Sequence, residues 1–237
     1  MGRAFEYRKA RKLKRWGSMS KTFTKIGREI AKAVKESGPH LESNSKLRAI
    51  IQNAREANMP KENVERAIKK ASEKSTESWE ERVYEGYGKY GIAILVETLT
   101  NNPTRTVANI RALFNKYEAT LGTTGSLDFL FDRKCVFKIG AGDINQEEFE
   151  FEIIDYGGEE IDRDDEENAL IIYGRFEDFG KIQGFIEEKK YELKSAAFER
   201  IPTDTKALTS SQEEEINRLI EKLEEDDDVQ MVFTTMG

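Results

Sequence analysis

The chain has 237 residues, of which 35% are charged and 38% hydrophobic, and its net charge at pH 7 is −7. Its longest aliphatic run, 92–96, has five residues, whereas a membrane-spanning helix needs about 20. One cysteine and one histidine exclude an internal disulfide and a zinc site built from several such residues. The basic start lacks the apolar stretch of a secretory signal, so we expect a soluble, cytoplasmic protein without membrane contact.

Charge is divided unequally along the chain. Residues 1–76 contain 20 Lys and Arg against 8 Asp and Glu, a net charge of +12, and residues 77–237 carry a net −19. Residues 1–35 alone hold 12 basic and 2 acidic residues. Such asymmetry is typical of a protein that meets a polyanion through its basic end. A solvated, charged helical face would explain a smaller excess, so we favour nucleic acid or a ribonucleoprotein as the partner.

The first 76 residues are predicted to form a basic arm and three helices. Residues 3–16 hold seven Lys and Arg with three aromatic residues between them. From Ser20 onward, apolar residues at 23, 26, 30 and 34 follow a helical spacing, and a Ser-Gly-Pro sequence at 37–39 ends that helix. Two further amphipathic helices follow, and residues 72–80 have the composition of a linker.

The rest of the chain mixes strands and helices. Residues 83–87, 92–99 and 127–131 are predicted as strands, with a helix from Val107 to Tyr117. Residues 134–201 follow the order β-α-β-β-α-β of a ferredoxin-like module. Within that module residues 146–156 fit a strand or a helix, and we favour the helix.

The end of the chain is predicted as one helix and one strand. A capping box from Ser210 to Glu213 begins the helix, and residues 229–233 alternate as a strand does. This pair needs a sheet to join, and the incomplete β-β-α-β unit of residues 82–131 is the nearest host. Residues 134–201 would then be an insertion into a discontinuous domain.

The pattern predicts an α+β protein of three domains. We expect residues 1–79 to form a basic three-helix bundle with an N-terminal arm. Residues 80–133 and 204–237 together would form a discontinuous α/β middle domain, and residues 134–203 an acidic, inserted ferredoxin-like β-α-β-β-α-β domain.

Several motifs resemble chemical sites, but each has a structural interpretation that we favour. The G-x-G-x-x-G pattern at 86–91 leads into a strand, so it indicates a hairpin rather than a dinucleotide site. The acidic run at 162–167 lacks the Gly and Glu of a calcium loop, and Cys135 is expected to be packed in a strand. No catalytic residue, metal site or cofactor is predicted.

One helix start has a more open interpretation. Asn102 is predicted to cap a helix with Pro103 at its first position. Arg105 would then lie in the first turn, where a guanidinium beside exposed N–H groups is suited to a phosphate. Capping and packing alone is the alternative.

Five segments, in this order, resemble the YebC/PmpR family, which includes the mitochondrial translational activator of cytochrome c oxidase. They read KTFTK at 21–25, NMPKENVERAI at 58–68, YEGYG at 84–88, TNNPTRT at 100–106 and LGTTGS at 121–126. Residues 2–9 depart from the GHSKW-type opening common in the family, and 101–106 depart from its DNRNRT sequence. These departures indicate a divergent subgroup.

The resemblance implies three domains, a helix at 146–156, a cytoplasmic location and no catalysis. Family members are described as DNA-binding transcriptional regulators, and others act in translation at the ribosome, including on proline-rich stretches. We therefore predict a nucleic-acid-binding regulator of gene expression, most simply a DNA-binding transcriptional regulator. A ribosome-associated translation factor that binds rRNA or tRNA and relieves stalling is the alternative.

In both cases the basic arm and the first helix are expected to contact phosphates and release counterions. Because that helix offers mostly Lys and Arg, we predict weak sequence specificity. The acidic 134–203 domain is expected to face a basic protein rather than phosphate, and no small-molecule substrate is predicted. The candidate contacts are Arg3, Arg8, Lys9, Arg11, Lys12, Lys14, Arg15, Lys21, Lys25, Arg28, Lys32 and Arg105.

Overall fold

The computed structural model describes residues 19–73, 78–142 and 144–237. These residues form a helical bundle and two antiparallel sheets, each packed against two helices. The elements are α1 (Met19–Ser37), α2 (Ser45–Glu56), α3 (Lys61–Ser72), β1 (Glu80–Tyr87), β2 (Ala93–Thr100), α4 (Pro103–Lys116), β3 (Thr120–Leu121), β4 (Phe131–Gly140), α5 (Gln146–Ile154), β5 (Gly158–Asp164), β6 (Ala169–Arg175), α6 (Phe179–Glu188), β7 (Leu193–Pro202), α7 (Ser210–Glu224) and β8 (Val229–Thr234).

The N-terminal bundle forms because α1, α2 and α3 each carry one apolar stripe. Ile30 of α1 and Leu47 of α2 are fully buried in the shared core, and Val64 of α3 packs against them. Gly38 follows α1 at φ +81°, a conformation that favours glycine and ends the helix. The Asn44 side chain accepts the N–H of Leu47 and begins α2.

The middle sheet has the strand order β3-β1-β2-β8, and all neighbours are antiparallel. β8, the last strand of the chain, pairs along β2 with Leu95 opposite Phe233. Helices α4 and α7 cover one face, where Phe114 and Leu219 meet the buried side chains of β2. The final helix and strand therefore complete a sheet that began before the insertion.

The inserted sheet has the order β5-β6-β4-β7, the arrangement of a β-α-β-β-α-β module. Helices α5 and α6 pack on one face of it. Phe149 of α5 and Phe185 of α6 lie with their ring centroids 5.9 Å apart, and Phe137 of β4 is fully buried in the same core. Alternating apolar residues of the strands and one apolar face per helix supply this core.

The predicted fold class is confirmed, with its helical bundle, discontinuous middle sheet and inserted ferredoxin-like unit. Residues 146–156, ambiguous from their pattern, form a helix. The glycine pattern at 86–91 forms a hairpin with a 3-10 turn at Lys89–Gly91. The proposed divisions of the chain at 79/80, 133/134 and 203/204 stay predictions.

The strand predicted at 127–131 is wrong. Asp128–Leu130 form a 3-10 turn, and β4 begins only at Phe131. The N–H of Leu127 donates to the carboxylate of Glu85 at 2.6 Å, and the N–H of Leu130 donates to the carbonyl of Leu127. The backbone of this segment is therefore hydrogen-bonded locally, and the alternation of Leu127 and Phe129 reflects one buried and one exposed side chain of a turn.

The predicted capping box of the last helix is displaced by one residue. Thr209, not Ser210, is the N-cap of α7, and its partner three residues on is Gln212 rather than Glu213. The Thr209 hydroxyl accepts the N–H of Gln212, and the Gln212 side chain accepts the N–H of Thr209. Both pairs satisfy the same spacing, so the pattern alone did not separate them.

Helix α2 lies along the free edge of β7 and joins the bundle to the inserted sheet. The Asn53 amide donates to the carbonyl of Ala196 at 2.6 Å and accepts its N–H at 2.9 Å. Arg48 pairs with Glu187 of α6 at 2.9 Å. Asn53 thus replaces the missing neighbour of an edge strand, whose unpaired groups would otherwise invite another chain.

Candidate nucleic-acid interface

The basic side of α1 faces the end of α7 and the residues that follow it. We call residues 224–228, with the sequence Glu-Glu-Asp-Asp-Asp, the acidic segment. The amino group of Lys21 donates to the carbonyl of Glu225 at 3.1 Å, and that of Lys25 donates to the carbonyl of Glu224 at 3.1 Å. These carbonyls lie at the negative end of the α7 dipole, so the two lysines stabilise it.

Arg28 extends the same contact to the last residue of the acidic segment. Its guanidinium donates to the carboxylate of Asp228 at 2.8 Å and to the carbonyl of Asp227, and it lies 4.9 Å from the ring centroid of Trp79. The contact is therefore both ionic and cation–π.

Asp228 is the centre of a network that joins the bundle to the middle domain. Its side chain is 2% exposed and accepts hydrogen bonds from Arg28, from Arg105 at 2.7 Å, from Thr106 at 2.8 Å and from Thr100 at 3.1 Å. Burial opposes ionisation, but the hydrogen bond from Arg105, with help from Thr106, brings the pKa of Asp228 below its usual value. Asp228 is thus a buried anion with four donors.

Arg105 lies where the sequence predicted, in the first turn of α4, with Asn102 as the N-cap and Pro103 at the first position. Its guanidinium binds Asp228 and the side chain of Asn101. An open cleft of about 400 Å³ lies beside it, lined by Arg28, Arg105 and residues 225–228. Four carboxylates against two guanidinium groups make this cleft unsuitable for a phosphate.

The remaining predicted candidates divide into two groups. Lys32 pairs with Glu36 at 3.0 Å and with Glu81; burial lowers its pKa, but the hydrogen bond from Glu81 outweighs this and the net pKa is raised. Seven candidates lie outside the described residues: Arg3, Arg8, Lys9, Arg11, Lys12, Lys14 and Arg15. The described candidates thus come together around protein acceptors, chiefly the acidic segment.

A second set of cations, absent from the predicted candidates, lies on α3. Arg66, Lys69 and Lys70 are exposed and share one face because they are spaced i, i+3 and i+4. No carboxylate of the described residues forms an ion pair with them. We call these three residues the α3 cationic face. The signal for it was present in the sequence as basic residues opposite the apolar stripe of this helix.

Two family models match the chain. One, described as the TACO1/YebC protein N-terminal domain, matches residues 3–74, and the other, described as the TACO1/YebC second and third domain, matches residues 79–236. The chain belongs to the TACO1/YebC family. This is the YebC/PmpR family that the five sequence segments resemble.

Relatives of this TACO1/YebC chain are named as regulators. It is 57% identical to a "probable transcriptional regulatory protein" of Porphyromonas gingivalis, over the whole chain and 97% of the relative. It is 55% identical to a protein of the same name from Flavobacterium johnsoniae, over the whole chain and 99% of the relative. A crystal structure of a conserved hypothetical protein from Aquifex aeolicus is similar, with TM-score 0.77 and 34% identity over 92% of this chain and 90% of that one. These findings support a regulatory role.

Two of the segments that resemble the TACO1/YebC family lie in hydrogen-bonded networks. Thr100 and Thr106, at the ends of the fourth segment, bind Asp228. The fifth, 121–126, is held by Glu85, a buried carboxylate that accepts the N–H groups of Gly125 at 2.7 Å and of Leu127. Sequence reasoning named neither Asp228 nor Glu85, because their partners are distant in the sequence.

Other chemical sites are not supported by the described residues. They contain no group of three or more His, Cys, Asp and Glu arranged to hold a metal ion. Burial raises the pKa of the Cys135 thiol to about 12, so this cysteine is a packed, unreactive residue. Among the residues described, no helix is long and apolar enough to cross a membrane.

Proposed function

We propose that this protein regulates gene expression by binding nucleic acid, and that the cations of its first 76 residues contact the phosphates. The observation that carries the proposal is the separation of charge: net +12 on residues 1–76 beside net −19 on the rest. A basic region on an acidic protein restricts phosphate contact to one side, because the remaining surface repels the backbone. The regulator names of its relatives agree with this role.

The basic cations differ in how available they are for phosphate. Lys21, Lys25 and Arg28 already donate to the acidic segment, so phosphate reaches them only by displacing that segment. The α3 cationic face has no such competitor among the described residues. We therefore assign the main contacts to the seven Lys and Arg of residues 3–15 and to the α3 cationic face, with DNA as the favoured partner.

The test is the affinity of the full chain for a duplex DNA, measured by fluorescence anisotropy at fixed, moderate salt. We expect R66S/K69S/K70S to bind about tenfold more weakly or worse, and a variant with Ser at all seven basic positions of 3–15 to lose more. The matched control, R111S/R163S/R218S, removes three exposed arginines outside the bundle and should bind as the unchanged chain does.

Two results would overturn this assignment. Equal losses for R66S/K69S/K70S and for its control would show that only net charge matters. No binding of duplex DNA or of structured RNA by the unchanged chain would remove the proposed function itself.

A second candidate, a ribosome-associated translation factor that binds rRNA or tRNA, is favoured by the type of cation presented. The α3 cationic face consists of Lys and Arg, which contact backbone phosphates rather than base edges, and structured RNA is read largely by shape and backbone. Sedimentation of tagged protein with ribosomes through a sucrose gradient, lost in the seven-position Ser variant, would place translation first. Protein that stays at the top of the gradient at low and moderate salt would favour DNA.

A further inference from the structure

Helix α5 is apolar on two opposite sides. Phe149 and Ile153 are buried in the core of the inserted domain, which one apolar stripe suffices to fill. Phe151 and Ile154 lie on the other side, spaced i and i+3, and their side chains are 78% and 60% exposed. Exposed aromatic and β-branched side chains side by side on one helix face are typical of an interaction surface.

Carboxylates flank these two apolar side chains. At 100° per residue, Glu147, Glu148 and Asp155 fall on the same side of the helix as Phe151, and all three are exposed. No cation of the described residues pairs with them, whereas Glu152 beside them pairs with Lys189 at 2.7 Å. We call Glu147, Glu148, Phe151, Ile154 and Asp155 the α5 outer face.

Folding accounts for only part of this arrangement. Glu147 and Glu148 stand in the first turn, where the helix dipole favours negative charge. Asp155 is the C-cap, where the same dipole disfavours it, and no partner offsets that cost. The α5 outer face therefore combines exposed apolar area with an unfavourable charge, both of which a cationic, apolar partner would relieve.

The charge of the surrounding domain restricts the partner. Residues 134–203 contain 9 Lys and Arg against 19 Asp and Glu, a net charge of −10, so nucleic acid is repelled. Within the same chain, α1 already shows a basic amphipathic helix meeting an acidic surface: its apolar stripe enters the bundle while Lys21, Lys25 and Arg28 bind the acidic segment. We propose that the α5 outer face docks a basic amphipathic segment of a partner protein.

The docked segment would place apolar side chains on Phe151 and Ile154 and cations near Glu147, Glu148 and Asp155. Two apolar anchors make a small contact, so the complex should be weak and transient. The contact uses a domain remote in charge from the proposed phosphate contacts, and it does not depend on them.

The test uses the full chain and two synthetic peptides of Leu and Lys with the same composition. One peptide has its leucines on one helical face, and in the other they are scrambled. Binding is mapped by changes in the amide NMR signals of ¹⁵N-labelled protein. We expect the amphipathic peptide to shift the signals of residues 146–156, and F151S/I154S to weaken its binding about tenfold.

The matched control is F129S, which removes an equally exposed aromatic residue (73%) from the middle domain and should leave binding unchanged. Three results would overturn the proposal: equal binding of the scrambled peptide, shifts centred on another acidic surface, or unchanged binding by F151S/I154S. Self-association of the chain that F151S/I154S abolishes, measured by analytical ultracentrifugation, would instead assign the face to a second copy and also overturn it.

Discussion

The acidic segment and the α5 outer face are both acidic surfaces at helix ends or faces, yet the structure treats them differently. The acidic segment is met by Lys21, Lys25, Arg28 and Arg105, and its last carboxylate is buried. The α5 outer face keeps three unpaired carboxylates and two exposed apolar side chains. The first is a completed contact between two parts of one chain, and the second has the same chemistry without its basic partner.

The difference explains why charge counted along the sequence is an incomplete guide to binding. Five predicted phosphate contacts lie among the described residues: Lys21, Lys25, Arg28, Lys32 and Arg105. Each already has acceptors within the protein. Cations available to an outside anion are found where no carboxylate lies nearby, as on the α3 cationic face.

The largest expected effect comes from breaking the completed contact at its centre. Asp228→Asn leaves Arg28 and Arg105 without their shared anion, and we expect the free energy of unfolding to fall by about 2–3 kcal/mol. Urea denaturation measures it. Asp227→Asn is the control, since Arg28 uses the main-chain carbonyl of Asp227; a similar loss in both variants would contradict the role of Asp228.

The same contact gives a pH dependence of known sign. The folded protein holds the pKa of Asp228 below its ordinary value, so the stabilisation is complete above the unfolded pKa of about 3.9 and is lost as pH falls through the lower, folded value. The difference in unfolding free energy between the unchanged chain and D228N should be constant above about pH 5 and shrink in more acidic solution. A difference that grows on acidification would contradict this sign.

A smaller effect is expected at the uncharged contact between the bundle and the inserted domain. Asn53→Ala leaves the N–H and carbonyl of Ala196 at the β7 edge without their partner, which should cost about 1–2 kcal/mol of unfolding free energy. Hydrogen exchange of the Ala196 amide should quicken as well. Gln52→Ala, which removes a neighbouring amide that does not bind β7, serves as the comparison, and equal losses would show that the edge contact contributes nothing.

The smallest effect is expected on the α5 outer face itself. F151S/I154S should change the free energy of unfolding by less than about 0.5 kcal/mol, because both side chains are mostly in solvent. Thermal unfolding of the two proteins would measure it. A loss comparable to that of a core substitution would mean that these side chains are packed in the folded protein, and the contrast between the two acidic surfaces would fail.

Much of the fold followed from local patterns in the sequence. The apolar stripe of α1, the Asn102 cap of α4 and the alternation in β8 each depend on residues a few positions apart, and all were predicted correctly. The turn at 128–130 was missed because it depends on Glu85, some forty residues earlier. Likewise, the pairing of Arg28 and Arg105 with Asp228 joins residues more than a hundred positions apart, which spacing rules do not reach.

The central claim is that the basic residues bind phosphates, and the salt dependence of binding tests it most directly. The association constant of the full chain for duplex DNA should be measured from low to moderate salt. If about six phosphates are contacted, the logarithm of that constant should fall with the logarithm of salt concentration at a slope near −5. The seven-position Ser variant should give a clearly shallower slope. A slope near zero for the unchanged chain, or the same slope for both proteins, would contradict the account.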